Sequence, residues 1–451
     1  MTFQSIHITK IELSSILPSI TAIDAAKGLR YGSVQILVRL HNHPLGLVEL
    51  PLPTETLLPA EYAPAVWAEL EEAINTHLEQ DGLPRLTSLP LMGIPSTQEP
   101  LCRQEQRFLL QNPPFISVVI CTHERPSMLA TCLTSVMALD YPHYEVIVVD
   151  NAPRTAATRA VVAELDGQIP QVRYVVEPNQ GQCWARNTGA KAAHGEIIAY
   201  TDDDVLVDPH WLIGILRGFA AADNVGGVNG LTIPAELDTV EQLWFEQSGG
   251  FNKGYERRIF DMEQHKPERP FYPLSAGIFG TGANLAIKKS ALKKVGYFDP
   301  ALGAGTITTC GDDLAMYVQL LFAGYKLVYE PTAFLQHIHR REYAALQKQI
   351  YNYGVGFTAF LTKTLWDNPG RIPGFLLRIP YGLYLLFSPQ SFKNKKKRTD
   401  YPDDLNGLEV RGMMFGSYAY LKSRRQTRRL LRQRHLSGMA DMPEENKQKS
   451  D

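Results

Sequence analysis

Cysteine is scarce in this 451-residue chain: there are five, at 102, 121, 132, 183 and 310, with no C-x-x-C pair among them. An odd number without that spacing argues against a disulfide framework and a zinc knuckle, and it fits a reducing compartment. Long lipid-like runs are missing too. The most apolar stretch, IPGFLLRIPYGLYLLF at 372–387, is shorter than the about 20 residues needed to span a bilayer and contains Arg378 and two prolines, so it reads as buried or interfacial. The opening MTFQSIHITKIELSS has no basic start followed by an apolar run, so no secretory leader is expected and the chain is placed in the cytoplasm. Charge of one sign is not in excess either. Lys+Arg 45 against Asp+Glu 47 leaves a net charge of -2, which gives no global attraction to nucleic acid. Nor is there a G-x-x-x-x-G-K-[ST] loop or a G-x-S-x-G elbow, and the nearest dinucleotide-type run, GVGFTA at 354–359, follows a Tyr- and Gln-rich helical pattern instead of a strand. A P-loop kinase, a dehydrogenase and a serine hydrolase are thereby set aside.

What is present is an ordinary globular composition, 44% hydrophobic and 20% charged, with length for two or three domains at about 150 residues each. Residues 1–95 combine an alternating run, SVQILVRL at 33–40, with a helical pattern in VWAELEEAINTHLEQDG, which predicts a small α+β domain. A proline-spotted stretch, 96–114, reads as a linker. From 115 the rhythm becomes strand, loop, helix: ISVVICT, YEVIVVD, VRYVVE and EIIAYTD are short apolar runs separated by helical segments. Such runs predict an α/β domain with a mostly parallel sheet covered on both faces and ligands at the carboxyl ends of its strands. Each run ends in polar residues: Thr122-His123-Glu124, Asp150-Asn151, Glu177-Pro178-Asn179 and Asp202-Asp203-Asp204. The polar segment 249–270 reads as a mobile loop, 341–436 as a helical basic region, and 437–451 as a disordered tail. Between 391 and 434 thirteen Lys and Arg face four acidic residues.

Three groups could carry chemistry. In the triple carboxylate Asp202-Asp203-Asp204, strand alternation sends the first and third side chains one way and the second the other. Three adjacent acids repel one another, and hard oxygens of this kind favour Mg2+ or Mn2+, which keep open positions for a phosphate; a solvated acidic loop is the plain alternative. Downstream, Asp312-Asp313 opens an amphipathic helix, where acids act either as partners of the helix dipole or as a base near a metal-held diphosphate. In QHIHRREY, His337 and His339 stand two apart beside Arg340 and Arg341, which suits a metal ligand, a phosphate clamp or a solvated turn.

Five blocks in order resemble the family 2 inverting glycosyltransferases of the GT-A fold. They are SVVICTHERPSMLATCLTSV, VIVVDN, EPNQGQCWARNTGAKAAHGEIIAYTDDDVLVDPHWL, GTGANLAIKKSALKKVGYFDPALG, and GDDLAMYVQLLFAGYKLVYEP with QHIHRR, together covering about 115–340. The resemblance implies a Rossmann-like GT-A core between the α+β domain and the helical C-terminal region. It implies that Thr122, Glu124 and Asp150 contact the base and ribose of a nucleotide, framed by Asn179, Gly181 and Arg186. Asp202, Asp203 and Asp204 match the family's Asp-x-Asp region: Asp204 would bind the divalent cation, Mn2+ or Mg2+, with Asp202 near the ribose or sugar and also a metal ligand. Gly282, Ala283 and Asn284 fall where donor sugar and acceptor meet. The Asp312-Asp313 pair matches a motif usually written Glu-Asp, whose second member is the catalytic base; with Asp-Asp here, either residue remains a candidate. His337 matches a position that can complete the metal site, and Arg340 would neutralise the leaving diphosphate. The implied partners are a nucleotide-diphospho-sugar, UDP-sugar first, and a glycan or lipid-linked acceptor, in cell-surface or exopolysaccharide glycan synthesis. The Gln-x-x-Arg-Trp motif of processive synthases is absent after 313, which favours transfer of one sugar. A sugar-1-phosphate nucleotidyltransferase and a non-catalytic carbohydrate- or nucleotide-sugar-binding module are the alternatives. The basic C-terminal region suits either peripheral contact with an anionic membrane, at the inner face of the plasma membrane, or a charged cover on the core.

Overall fold

The structure is a computed structural model that describes residues 3–96, 98–164, 172–388, 390–391, 394 and 401–436. In the N-terminal part, β1 (Ile6–Glu12), β2 (Ser33–Leu40) and β3 (His43–Pro51) form a sheet in the order β1-β2-β3, with β1 parallel and β3 antiparallel to β2. Helix α1 (Pro59–Gln80) covers it, burying Tyr62, Val66, Ile74 and Leu78 against Val34, Ile36 and Val38. The stretch 96–114, expected as a linker, carries a helix, α2 (Leu101–Leu109). Its start is held by Asp81, whose Oδ1 accepts the Cys102 N–H at 2.8 Å, a local cap that the scattered prolines hid.

The central sheet is built from β4 (Ile116–Thr122), β5 (Tyr144–Asn151), β6 (Val172–Glu177), β7 (Ile197–Asp202), β8 (Val205–Val207), β9 (Val225–Pro234), β10 (Arg258–Phe260), β11 (Leu285–Lys288) and β12 (Lys326–His337). The order is β6-β5-β4-β7-β11-β9-β12-β8, with β10 also on β12. The first four strands are mutually parallel, β9 and β12 are parallel to each other, and β11 joins the two blocks by antiparallel pairing. Helices α3 (Pro126–Met137), α4 (Ala157–Glu164), α5 (Gln182–Ala192), α6 (Trp211–Ala220) and α7 (Asp312–Phe322) flank this sheet. Val118 and Ile120 of β4 pack with Leu133 and Trp211 on one face, while Val119 packs with Ala185 and Met316 on the other. Continuous apolar strands are thus explained by burial on both sides. Strand β10, with Phe260 buried, lies inside 249–270; two adjacent apolar residues, Ile259 and Phe260, in a polar stretch were too weak a signal to predict it.

Beyond β12 the long helices α8 (Tyr343–Asp367) and α11 (Asp403–Leu436) pack together, with two short helices, α9 (Ile372–Leu376) and α10 (Ile379–Phe387), between them in sequence. Their crossing is close: Thr358 Oγ1 donates to the Met413 carbonyl at 2.8 Å. The glycines of GVGFTA serve this packing. A Cβ on Gly356 would lie 2.4 Å from Cys310 Cβ, and one on Gly311, whose φ is +92°, would lie 2.4 Å from the Gly356 carbonyl oxygen. Helix α8 therefore presses directly on the loop that starts α7 and its acid pair. The expected disordered tail, 437–451, and Lys393, Lys395, Lys396, Lys397 and Arg398 lie outside the described residues.

This contact makes a prediction. Gly356→Leu overfills the α8 contact and should lower stability by about 1–3 kcal/mol, whereas Gly370→Ala, with open space at its Cβ, should not. Thermal melts of both variants check it; equal melting temperatures would show that α8 does not pack there.

Candidate active site

The strand register aligns the polar ends on one rim. Thr122 pairs with Asp150, Glu177 with Asn151, and Asp202 with Cys121, so the carboxyl ends of β4, β5, β6 and β7 finish level. Asn151 closes the next turn: its Nδ2 donates to the Asn179 carbonyl at 2.7 Å and its Oδ1 accepts the Gly181 N–H at 2.8 Å. Glu177 accepts from Asn179 Nδ2 at 2.8 Å and from Thr188 Oγ1 at 2.6 Å. Gly181, at φ +140°, then begins α5; a Cβ there would sit 3.2 Å from the Trp184 ring.

Helix α5 delivers Arg186, 3% exposed, into the centre. Its Nη1 donates to Asp312 Oδ2 at 2.6 Å, and its Nη2 to the Gly282 carbonyl at 3.1 Å and to Asp202 Oδ1 at 3.5 Å. One guanidinium therefore joins the end of β7, the start of α7 and the 280–284 loop. Gln182 Nε2 donates to the same Asp202 oxygen at 2.9 Å. Burial, only partly countered by Arg186, pushes the Asp202 carboxyl up to about 6.

The three rim acids do not alternate as a strand would. Strand β7 ends at Asp202, and the chain turns through Asp203 and Asp204 into β8, so the second and third acids share one cation, Arg125. Arg125 Nη1 lies 2.5 Å from Asp203 Oδ1 and 3.1 Å from Asp204 Oδ2, and Asp203 also accepts the Thr122 hydroxyl at 2.7 Å. Thr122 thus spends its proton inside the protein. Asp204 also faces His337, with Nε2 3.3 Å from Oδ1, and Arg340, with Nη2 3.6 Å from Oδ2. The β8–β12 pairing of Val205 with His337 brings them together.

A chain of hydrogen bonds orients His337. Glu246 Oε1 accepts from His339 Nε2 at 2.8 Å, which leaves His339 Nδ1 to accept from His337 Nδ1 at 3.2 Å. This tautomer assignment follows from the network. It turns a bare His337 Nε2 lone pair toward the Asp204 carboxylate. Burial pushes His337 down to about 4, against the pull of Asp204, so the imidazole is neutral at pH 7. Two lone-pair donors 3.3 Å apart, with the Glu246 carboxylate fixing the ring through His339, fit a divalent cation. Asp202 stands apart from this pair, its Oδ1 held by Gln182 and Arg186.

The two acids opening α7 differ. Asp312, 6% exposed, is taken up by Arg186. Asp313 is more open; its Oδ2 accepts the Gly282 N–H at 3.0 Å and its Oδ1 the Leu314 N–H at 2.8 Å. Burial, with the neighbouring Asp312 charge adding to it, pushes Asp313 up to about 6, above an ordinary carboxylate near 3.9.

Three expected contacts are engaged within the protein. Asn284 is 1% exposed and fully engaged, accepting from Trp211 Nε1 at 2.8 Å and donating to the Leu231 and Ala333 carbonyls at 3.0 and 2.8 Å. It ties β9, β11 and β12 together and offers nothing to a sugar. Glu124 lies at the rim but uses both oxygens on Arg154 N–H and Thr155. Asp150 is closed off from solvent and accepts the Tyr174 hydroxyl at 2.7 Å. Sequence reasoning placed Asn151 at a strand end without its role in closing the turn, and missed Arg125, Gln182 and Glu246; of these three Arg125 had a signal, as the cation in CTHERP directly after a rim strand.

An α/β sheet with its polar groups gathered at the carboxyl ends of parallel strands is of the class that binds ligands along that rim. Comparison narrows the class: residues 117–296 match the model of glycosyl transferase family 2. It is 34% identical over 119 residues to an uncharacterized glycosyltransferase of Nostoc sp., covering 26% of this chain and 37% of that one. It is 32% identical over 147 residues to the glycosyltransferase AglE of Haloferax volcanii, covering 30% and 48%. The chain thus spans less than half the length of these two curated relatives. A mannosyltransferase of Pyrobaculum calidifontis, solved in complex with GDP-Man and Mn2+, superposes on 70% of this chain and 93% of its own with a TM-score of 0.44 at 17% identity; a likeness that loose says nothing of donor or metal.

The role of Arg186 can be tested by stability. Arg186→Met strands two acids and should cost about 3–5 kcal/mol, and adding Asp312→Leu should restore part of it. Denaturation of the single and double variants checks this; a single variant as stable as the parent would contradict it.

Proposed function

We propose that this chain transfers one sugar from a nucleotide-diphospho-sugar, UDP-linked in our reading, to a hydroxyl of a glycan or lipid-linked acceptor, with inversion at the anomeric carbon. The observation that carries this reading is the division of labour in the acid pair. Arg186 locks Asp312 in place and leaves Asp313 partly open, at the mouth of the cleft beside Gly282.

The donor lies along the rim, in the turn framed by Asn179 and Gly181, with its diphosphate toward Asp204. Arg340, 44% exposed by side chain, stands beside Asp204 with its guanidinium free to move onto a phosphate as negative charge grows there. Asp204 and His337 are the residues that would hold Mn2+ or Mg2+; when bound, the cation supplies neutralisation of the two phosphates. Asp313 takes the proton of the acceptor hydroxyl as that oxygen attacks the anomeric carbon from the face opposite the leaving diphosphate. The two N–H groups on Asp313 fix its direction and leave a lone pair on each oxygen for that proton. With its pKa near 6, Asp313 is ionised at pH 7 by about ten to one and is still a better base than an ordinary aspartate.

The acceptor reading rests on α9 and α10. Leu376, Leu377, Leu383 and Phe387 are 50–83% exposed there, where burial had been one expectation, and Phe271 packs on Phe375 and Tyr381 to hold the pair to the core. Among the described residues no helix is long and apolar enough to cross a membrane. An exposed apolar edge that precedes the basic helix α11 in the chain suits the surface of an anionic bilayer and a lipid-linked acceptor.

Two outcomes follow. Asp313→Asn should lower turnover by about 10²- to 10⁴-fold, and the parent's kcat/KM should fall about tenfold per unit as pH drops below about 6, because the base is lost on protonation. A variant with parental turnover, measured by release of the nucleoside diphosphate, would remove Asp313 from this role. In flotation assays the chain should rise with anionic vesicles and not with neutral ones, and Leu377→Asp with Phe387→Asp should abolish that; no flotation in either case would end the membrane reading.

A further inference from the structure

Among the described residues, the one group of three or more His, Cys, Asp or Glu side chains whose ligand atoms all close to within 4.8 Å of one another lies far from the acidic rim in sequence: His41, His77, Asp81 and Cys102. His41 sits in the turn between β2 and β3, His77 and Asp81 stand four apart at the end of α1, and Cys102 is in the first turn of α2. The i, i+4 spacing puts His77 and Asp81 on one helix face. His41, His77 and Asp81 are 1%, 7% and 2% exposed.

Asp81 is at the centre. Its Oδ2 lies 2.6 Å from His41 Nδ1, 3.1 Å from His77 Nε2 and 3.0 Å from Cys102 Sγ, while its Oδ1 accepts the Cys102 N–H at 2.8 Å. Three potential ligand atoms converge on one carboxylate oxygen. The remaining nitrogen of His41, Nε2, is buried without a hydrogen-bond partner. A hydrogen-bonded hub therefore leaves a buried imidazole nitrogen unsatisfied, which costs free energy. Two imidazoles, a carboxylate and a thiol make a tetrahedral N, O, S set, with the thiol selecting against Mg2+ and Mn2+.

We propose that His41, His77, Asp81 and Cys102 form a structural Zn2+ site that clamps the N-terminal α+β unit to the transferase domain. Zn2+ bonds of about 2.0–2.3 Å would place neighbouring ligands about 3.3–3.8 Å apart; the three contacts to Asp81 Oδ2 are 2.6–3.1 Å and would open on binding, and all four ligand atoms lie within 4.8 Å of one another. The Cys102 N–H fixes the Asp81 carboxylate from behind, as an outer-shell partner does. The missing C-x-x-C pair excludes a knuckle but not this set, whose members come from three separate segments. Access is through a cleft of about 640 Å³ lined by Ser14, His41, Pro95 and Arg103, among others. The clamp reaches the core through Arg217 of α6, 2% exposed, whose Nη2 donates to the Cys102 carbonyl at 2.6 Å and whose Nη1 lies 3.1 Å from His43 Nε2.

The test uses the full chain, purified without a metal-affinity tag. Elemental analysis should find about one Zn2+ per chain after gel filtration, unchanged in Asp204→Asn, which separates this site from the rim. Replacing Zn2+ by Co2+ should give a thiolate-to-cobalt charge-transfer band that Cys102→Ser loses, and chelation should lower the melting temperature of the parent. If Cys102→Ser does not fold, protection of the Cys102 thiol from alkylation by added Zn2+ in the parent serves instead. A reduced chain that retains no Zn2+, shows no thiolate band with excess Co2+ and melts alike with and without chelator would overturn the proposal.

Discussion

The buried guanidinium of Arg186 is the interaction on which the rest of the cleft depends. Left alone, the end of β7 and the start of α7 would each put carboxylates into a low-dielectric space, where like charges repel strongly. Arg186 touches Asp202, Asp312 and the Gly282 carbonyl at once. Elements more than a hundred residues apart are thereby drawn into one wall. The same contact separates the site into two sides. Asp203 and Asp204 are balanced by Arg125 and Arg340, while among the described residues Asp313 has no ion-pair partner and gains basicity.

Each side has its own support. On the rim, Asn151 pins the turn before α5, and so sets where Arg186 enters. On the other side, α8 packs backbone to backbone against residues 310–311 and fixes the first turn of α7. The C-terminal helices are in this sense part of the active cleft, although they lie outside the segment that matches the family. The Glu246–His339–His337 chain plays the same part for Asp204, with Phe251 packed at 5.1 Å from the His337 ring to keep water from it.

Much of this was legible in the sequence, for identifiable reasons. Continuous β-branched runs can only be strands buried on both faces, and the polar residues ending each run had to meet at one rim, as Thr122, Asp150 and Asp202 do. The rest depended on pairing across long separations. Asn284 could be placed near the cleft by its motif, but only tertiary contact shows that Trp211 and two carbonyls consume it. Asp202 and Asp204 look alike in a row of three acids; the turn after β7 and the positions of Gln182 and His337 tell them apart. The helix in 96–114 escaped notice because its cap, Asp81, lies twenty residues upstream, and the glycines of 354–356, set aside as a nucleotide loop by their helical context, show their use only in the contact with residues 310–311.

The central claim is that Arg186 divides the cleft into a donor side at Asp204 and a proton-accepting side at Asp313. Calorimetric titration of a UDP-sugar with Mn2+ into Asp204→Asn and Asp313→Asn tests it most directly. The account predicts that Asp313→Asn binds the donor as the parent does and that Asp204→Asn loses binding by at least about tenfold, or about 1.4 kcal/mol. Undiminished binding by Asp204→Asn, or equal loss in both variants, would contradict it.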